Sequence, residues 1–317
     1  MSLSVILQQM GVICILVFIG IFLQKKDVID NLSSKKISAI VVDICNPALI
    51  LASILGGNVT ATHMDLLYAL GLGVGLYAIF VILGFTMPRL LKVAPNKRKF
   101  YNLMCVYTNT GFLGIPIAKA ILPPNAIIYV IVVNIIYALL FYTHGMAILG
   151  SGEDGASDKN GVQKRVSLNN LLNPGTVMAV ITLIIFWFGI ELPPILANTA
   201  EYVGNATVFL SMVLLGASIA KSDLFSSLKD VRIWIFILLR MVLLPILIVV
   251  ALHAVSFDKT ATLAMCLMSA VPVGNLPMIQ AEKKGMDTST LASAIAVTTT
   301  VSIITITVLI ALATEWL

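Results

Sequence analysis

Residues 107–118 read YTNTGFLGIPIA, and residues 269–280 read SAVPVGNLPMIQ. Each stretch lies inside a long apolar run and interrupts it near the middle with Gly, Asn and Pro. Pro116 removes a backbone donor and Gly111 and Gly114 loosen the helix around it; Pro272, Gly274 and Pro277 do the same in the second stretch. In lipid an unpaired backbone group costs several kcal/mol, so broken helix is tolerated only beside protein or water. Interrupted helices at matching places in two halves of a membrane chain point to a transporter's substrate site.

The rest of the chain reads as housing for that pair. Hydrophobic residues make up 59% of the 317 and charged ones 11%, with a mean hydropathy of +1.02. That balance excludes an ordinary soluble domain and describes an all-helical polytopic membrane protein. Apolar segments of spanning length run over 4–23, 36–55, 65–88, 100–121, 126–149, 174–192, 195–220, 231–253, 259–281 and 289–313. The first carries its positive charges, Lys25 and Lys26, after the apolar run, so it reads as a spanning helix and not a cleaved signal.

Of the 20 Lys and Arg, only Lys119, Arg240 and Lys259 fall outside the loops that follow the odd-numbered segments. The positive-inside rule makes those loops cytoplasmic and places both termini outside, in a multi-pass plasma (inner) membrane protein. The polar stretch 150–173 is a cytoplasmic linker rich in Gly, Ser and Asp. It separates a first five-helix repeat, 1–149, from a second, 174–317. An odd number of segments per half makes the second repeat enter the membrane from the opposite side, as in an inverted repeat. The second and seventh segments also match, each with an expected break: Asp43, Asn46 and Pro47 in one, Gly216, Ala217 and Ser218 in the other.

Few polar groups remain to do work inside the membrane. Asp43, in IVVDICNPALIL, reads either as a proton or cation site or as a structural acid hydrogen-bonded to a neighbouring helix. Arg240, in IWIFILLRMVLLPIL, attracts an anion, pairs with Asp43, or snorkels to the headgroups. The expected substrate-binding set is Asn109, Thr110, Gly114, Pro116, Asn275, Pro277, Asn46 and Arg240; the expected ion-coupling set is Asp43, Thr108 and Gln280. At a broken helix, freed N–H groups and the positive half-helix end hold an anion, and freed carbonyls hold a cation. Gly71, Gly73 and Gly75 read as helix-packing positions and not as a phosphate loop. Cys14, Cys45, Cys105 and Cys266 read as apolar fillers, and His63, His144 and His253 as residues at or near helix ends. No metal-ligand spacing, cofactor motif or paired catalytic group is present in the sequence, and no basic patch suits a nucleic acid.

The GxPxAKA core of NTGFLGIPIAKAI, the later AVPVGNLPMIQAEKKG with VTTTVSIIT in the last segment, the NPG start at 173, and LLGASIA in the seventh segment together resemble the auxin efflux carrier family. The resemblance covers essentially the whole chain. It implies two inverted five-helix repeats whose fourth and ninth helices cross at Pro116 and Pro277. The first, second, sixth and seventh helices would form a scaffold and the others a moving transport domain, in a homodimer. Asn109 matches the family's binding asparagine. The implied function is carriage of a small organic anion, malate-like or auxin-like, with proton or sodium coupling. The competing reading is a membrane sensor that kept the transporter fold and signals through a partner.

Overall fold

The computed structural model describes residues 3–55, 62–150, 174–221 and 228–317, and every named element but one isolated bridge is helical. Helix α1 is Leu3–Lys25. Helix α2 runs as Asn31–Ile40, a π turn at Val41–Cys45, and Asn46–Leu55. Helix α3 is His63–Leu90. The fourth helix is broken into α4a, Pro95–Val106, and α4b, a π turn at Thr110–Gly114 continued by Ile115–Ile121. Helix α5 is Ala126–Gly150, α6 Pro174–Phe188, α7 Pro194–Lys221 and α8 Val231–Ala254. The ninth is broken into α9a, Lys259–Ala270, and α9b, Leu276–Lys283; α10 is Ser289–Trp316.

Five of these helices (α3, α5, α7, α8 and α10) are long and apolar enough to cross a membrane, and shorter apolar helices lie at Gly11–Lys25, Thr110–Ile121 and Val177–Phe188. Apolar side chains such as Phe18, Ile82, Leu238 and Ile304 project outward, each more than half exposed, which suits contact with lipid. The expected linker lies outside the described residues from 151 onward.

Among the described residues, three prolines follow π turns, whereas Pro88 lies inside α3 without one and the π turn at Phe141–Gly145 has no proline after it. Pro47, Pro116 and Pro245 each stand two residues after a π turn, at Val41–Cys45, Thr110–Gly114 and Ile237–Leu243. A proline lacks the N–H that would pair four residues back and its ring crowds that carbonyl. Widening the preceding turn by one residue relieves the clash while the helix continues. The second helix therefore continues through its polar stretch as a π turn and is not cut there.

The seventh helix departs from expectation: α7 runs unbroken through Gly216, Ala217 and Ser218. Gly216 marks a close approach, because a Cβ there would strike the Val17 backbone of α1. Gly20 meets Val213 of α7 in the same way, so α1 and α7 pack backbone to backbone. Gly71 and Gly75, expected to be packing positions, face open space instead, and only Gly73 meets a neighbour, the Ile136 side chain. Helix α7 packs on α2 as well, while α4a, α5 and α9a gather around α3, α8 and α10 in a second body of contacts.

Of the histidines, His63 opens α3 and stacks on Trp187, and His253 ends α8 and stacks on Trp316, each with ring centroids 4.4 Å apart. His144 instead sits inside α5, with Nδ1 2.9 Å from the Tyr107 hydroxyl.

Candidate functional site

The two breaks meet. At the end of α4a the chain extends through Tyr107, Thr108 and Asn109, and at the end of α9a through Val271 to Gly274. They pair as a short antiparallel bridge at Thr108 and Val273. The Asn109 N–H donates to the Pro272 carbonyl at 2.8 Å, and the Gly274 N–H donates to the Tyr107 carbonyl at 2.9 Å. Backbone groups released by one broken helix are thus taken up by the other, as an environment without water demands. Gly274 is required here: a Cβ would lie 2.8 Å from the Thr108 carbonyl oxygen.

Side chains finish the first break. Asn109 is buried and its Oδ1 accepts the Phe112 N–H at 3.2 Å, capping α4b. The buried Thr110 hydroxyl donates to Asn134 Oδ1 of α5 at 2.7 Å. Asn46 of α2 reaches the Gly111 carbonyl with its Nδ2 at 3.4 Å, which leaves its buried Oδ1 without a partner.

A cavity of 880 Å³ runs from the crossing toward the first turns of α2. One wall is α2 and α7, with Ser38, Asp43, Ser211 and Ser218; the other is α4b, α9b and α10, with Asn109, Asn275 and Thr299. Ser34 and Lys35 stand at the far end. Ser211 and Thr299 are almost fully buried, and neither hydroxyl has a partner among the described residues. An unpaired buried hydroxyl is costly unless water or a ligand satisfies it.

The expected site residues divide by position. Asn109, Asn275 and Asp43 line the cavity. Asp43 sits in the π turn of α2, exposed and lining that space. Thr108 forms the bridge itself, while Thr110, Gly114, Pro116 and Pro277 lie in α4b and α9b, and none of them lines the cavity. Asn46 supports the first break from α2. The crossing expected at Pro116 and Pro277 is made instead by residues 107–109 and 272–274. Gln280 is half-buried one residue beyond the lining Ile279.

Arg240 is the clear correction. It does not line the cavity, does not pair with Asp43 and does not snorkel, being 1% exposed. Its Nε donates to the Cys105 carbonyl at 3.0 Å and its Nη1 to the Ser269 carbonyl, while the guanidinium lies 3.9 Å from the centroid of Phe80. Two unpaired helix-end carbonyls and an aromatic face hold it more firmly than a headgroup several turns away could.

Sequence reasoning also missed Ser211 and Thr299. The only available signal was a hydroxyl on an apolar helix of the right half, and most hydroxyls so placed bond back to their own helix, as Thr300 and Thr307 do here.

The model of a family described as membrane transport protein, the auxin efflux carrier family that the motifs resemble, matches residues 5–310, and the chain belongs to it. No curated protein matches the chain.

Proposed function

Proceeding from membership in that family of membrane transporters, we propose that this protein is a secondary carrier of a small organic anion, working by alternating access at the crossing. One observation carries the reading: a cavity of 880 Å³ lies between two walls of different helices and ends on the asparagine of each break, Asn109 and Asn275. Its size suits a small metabolite. The half-helix N-termini of α4b and α9b begin at these asparagines, and such ends favour negative charge.

In this reading the chain forms ten spanning helices in two inverted five-helix repeats, with both termini outside. The start of α2 is then cytoplasmic, so the cavity is open inward. The wall of α2 and α7 belongs to the scaffold, with α1 and α6, and the wall of α4b, α9b and α10 to the moving body. Closure of the Lys35 end and opening of the opposite end would complete a half-cycle. Asp43, exposed in the cavity, is the group for a coupling proton or sodium ion, and the carrier works as a homodimer.

The deciding experiment is counterflow in proteoliposomes preloaded with malate, malonate or an aromatic acid, using the same labelled acid outside and Asn109→Ala as control. Accelerated uptake that the variant loses, and whose rate follows imposed proton or sodium gradients, is expected. Tight binding of one acid without any flux would overturn the carrier in favour of a sensor.

A further inference from the structure

Together the two broken helices bring four charged ends to the crossing, two C-termini from the upstream halves and two N-termini from the downstream halves. The upstream halves α4a and α9a are 12 residues each and point their negative C-termini at the crossing. Cys105 and Ser269 occupy equivalent places, each two residues before its helix's C-cap, Tyr107 and Val271. One guanidinium, that of Arg240, takes both of these carbonyls. It does so from the back of the crossing, fully buried and outside the cavity.

We propose that Arg240 is a positioning residue that sets the charge of the crossing, so that the cavity receives a singly charged anion. This deepens the reading of the crossing as the transport site and rests on it. Two helix C-termini carry about half a negative unit each, and one guanidinium cancels both. The N-terminal ends of α4b and α9b carry about half a positive unit each, and these remain uncancelled on the cavity side. The charged side chains among the described lining residues, Lys35 and Asp43, are of opposite sign and offset one another. The sum at the crossing is about one positive unit. Asn109 and Asn275, which line the cavity at the two breaks, supply amide donors to the anion's oxygens. Without Arg240 the four ends would balance among themselves, and the preference for negative charge would vanish.

The test reads this potential without needing the natural substrate. Cysteine is placed at the crossing by Asn275→Cys, with Cys14→Ser removing the native thiol that is not fully buried. Modification rates are compared for anionic sulfonatoethyl and cationic trimethylammonioethyl methanethiosulfonates, each normalised to its rate with a free thiol in solution. The anionic reagent should be favoured by about tenfold or more, as one unit charge at this range predicts. Arg240→Gln should lower the ratio by about tenfold, and Arg240→Lys should retain most of it. An unchanged ratio in Arg240→Gln overturns the proposal. Should that variant fail to fold, the ratio with Arg240 intact decides: a value at or below one at Asn275→Cys overturns it, and a value falling between Asn275→Cys and Ser218→Cys supports it. Failure of acid counterflow alongside a high, Arg240-dependent ratio would defeat the transport reading and leave the charge assignment standing.

Discussion

The two breaks look alike in sequence and are fastened differently in space. The first is tied to its surroundings by side chains: Asn109 caps α4b, Thr110 reaches α5, and Asn46 reaches across from α2. The second is tied mainly by main chain, through Pro272 and Gly274 to Asn109 and Tyr107, with Thr298 of α10 receiving the Val273 N–H at 3.3 Å. The first break is therefore an anchored frame, and the second is a strand laid upon it. The two breaks thus do not share the work of holding the crossing evenly.

The largest effect should come from separating the two. Gly274→Val places a branched side chain against the Thr108 backbone, where there is room for none. Overpacking of this kind costs about 1–3 kcal/mol, and it falls on the contact that joins the breaks. Flux should vanish and the melting temperature of the purified protein should drop; wild-type flux would show that the bridge is dispensable.

Next in size is the contrast between the two asparagines. Asn109→Ala removes both a cavity amide and a helix cap, the latter worth about 0.5–2 kcal/mol. Asn275→Ala removes a cavity group from a half-buried position. Both variants should lose counterflow, but only Asn109→Ala should also lose thermal stability. Equal melting temperatures for the two would erase the distinction between frame and strand.

Thr110→Val is a smaller, purely structural probe of the frame. It leaves Asn134 Oδ1 without its 2.7 Å partner beside a buried helix start. A loss of about 1–3 kcal/mol follows from the unsatisfied acceptor, with the apparent affinity for substrate little changed. A variant that weakens binding and keeps its stability would move Thr110 from the frame into the site.

How much of this was legible beforehand follows from the range of each signal. The breaks are local, written in Gly, Asn and Pro over a dozen residues, and both were readable, as were the helices around them. The irregular turn of α2 was readable as a disturbance at Pro47, although its form as a π turn needed the backbone. The break expected at Gly216 was misread because a small residue in a membrane helix signals either a loosened helix or a close neighbour, and only the position of Val17 decides. Arg240 was seen as an intramembrane charge, but its partners are backbone carbonyls 135 and 29 residues away, which carry no residue identity at all. The transport reading itself came from the paired breaks, and the family match over residues 5–310 supports transport without naming a solute.

The smallest expected effects concern two buried hydroxyls on residues that line the cavity, and they separate site from frame most cleanly. Ser211 and Thr299 come from opposite walls, α7 and α10, and both end without a partner among the described residues. A group that stabilises the fold would be bonded within it; these are desolvated for no internal gain, so removing them relieves a cost. Ser211→Ala and Thr299→Val should leave the melting temperature unchanged or raise it slightly, as replacing an unpaired buried hydroxyl by an apolar group does. Each should weaken the apparent affinity for the transported acid by about three- to tenfold, the loss of one modest hydrogen bond of about 0.5–1.5 kcal/mol. Because the two hydroxyls sit on different walls, they engage one ligand together only while the cavity is closed around it. The double variant should then lose less than the sum of the single losses. Strict additivity would mean that each wall binds the solute independently.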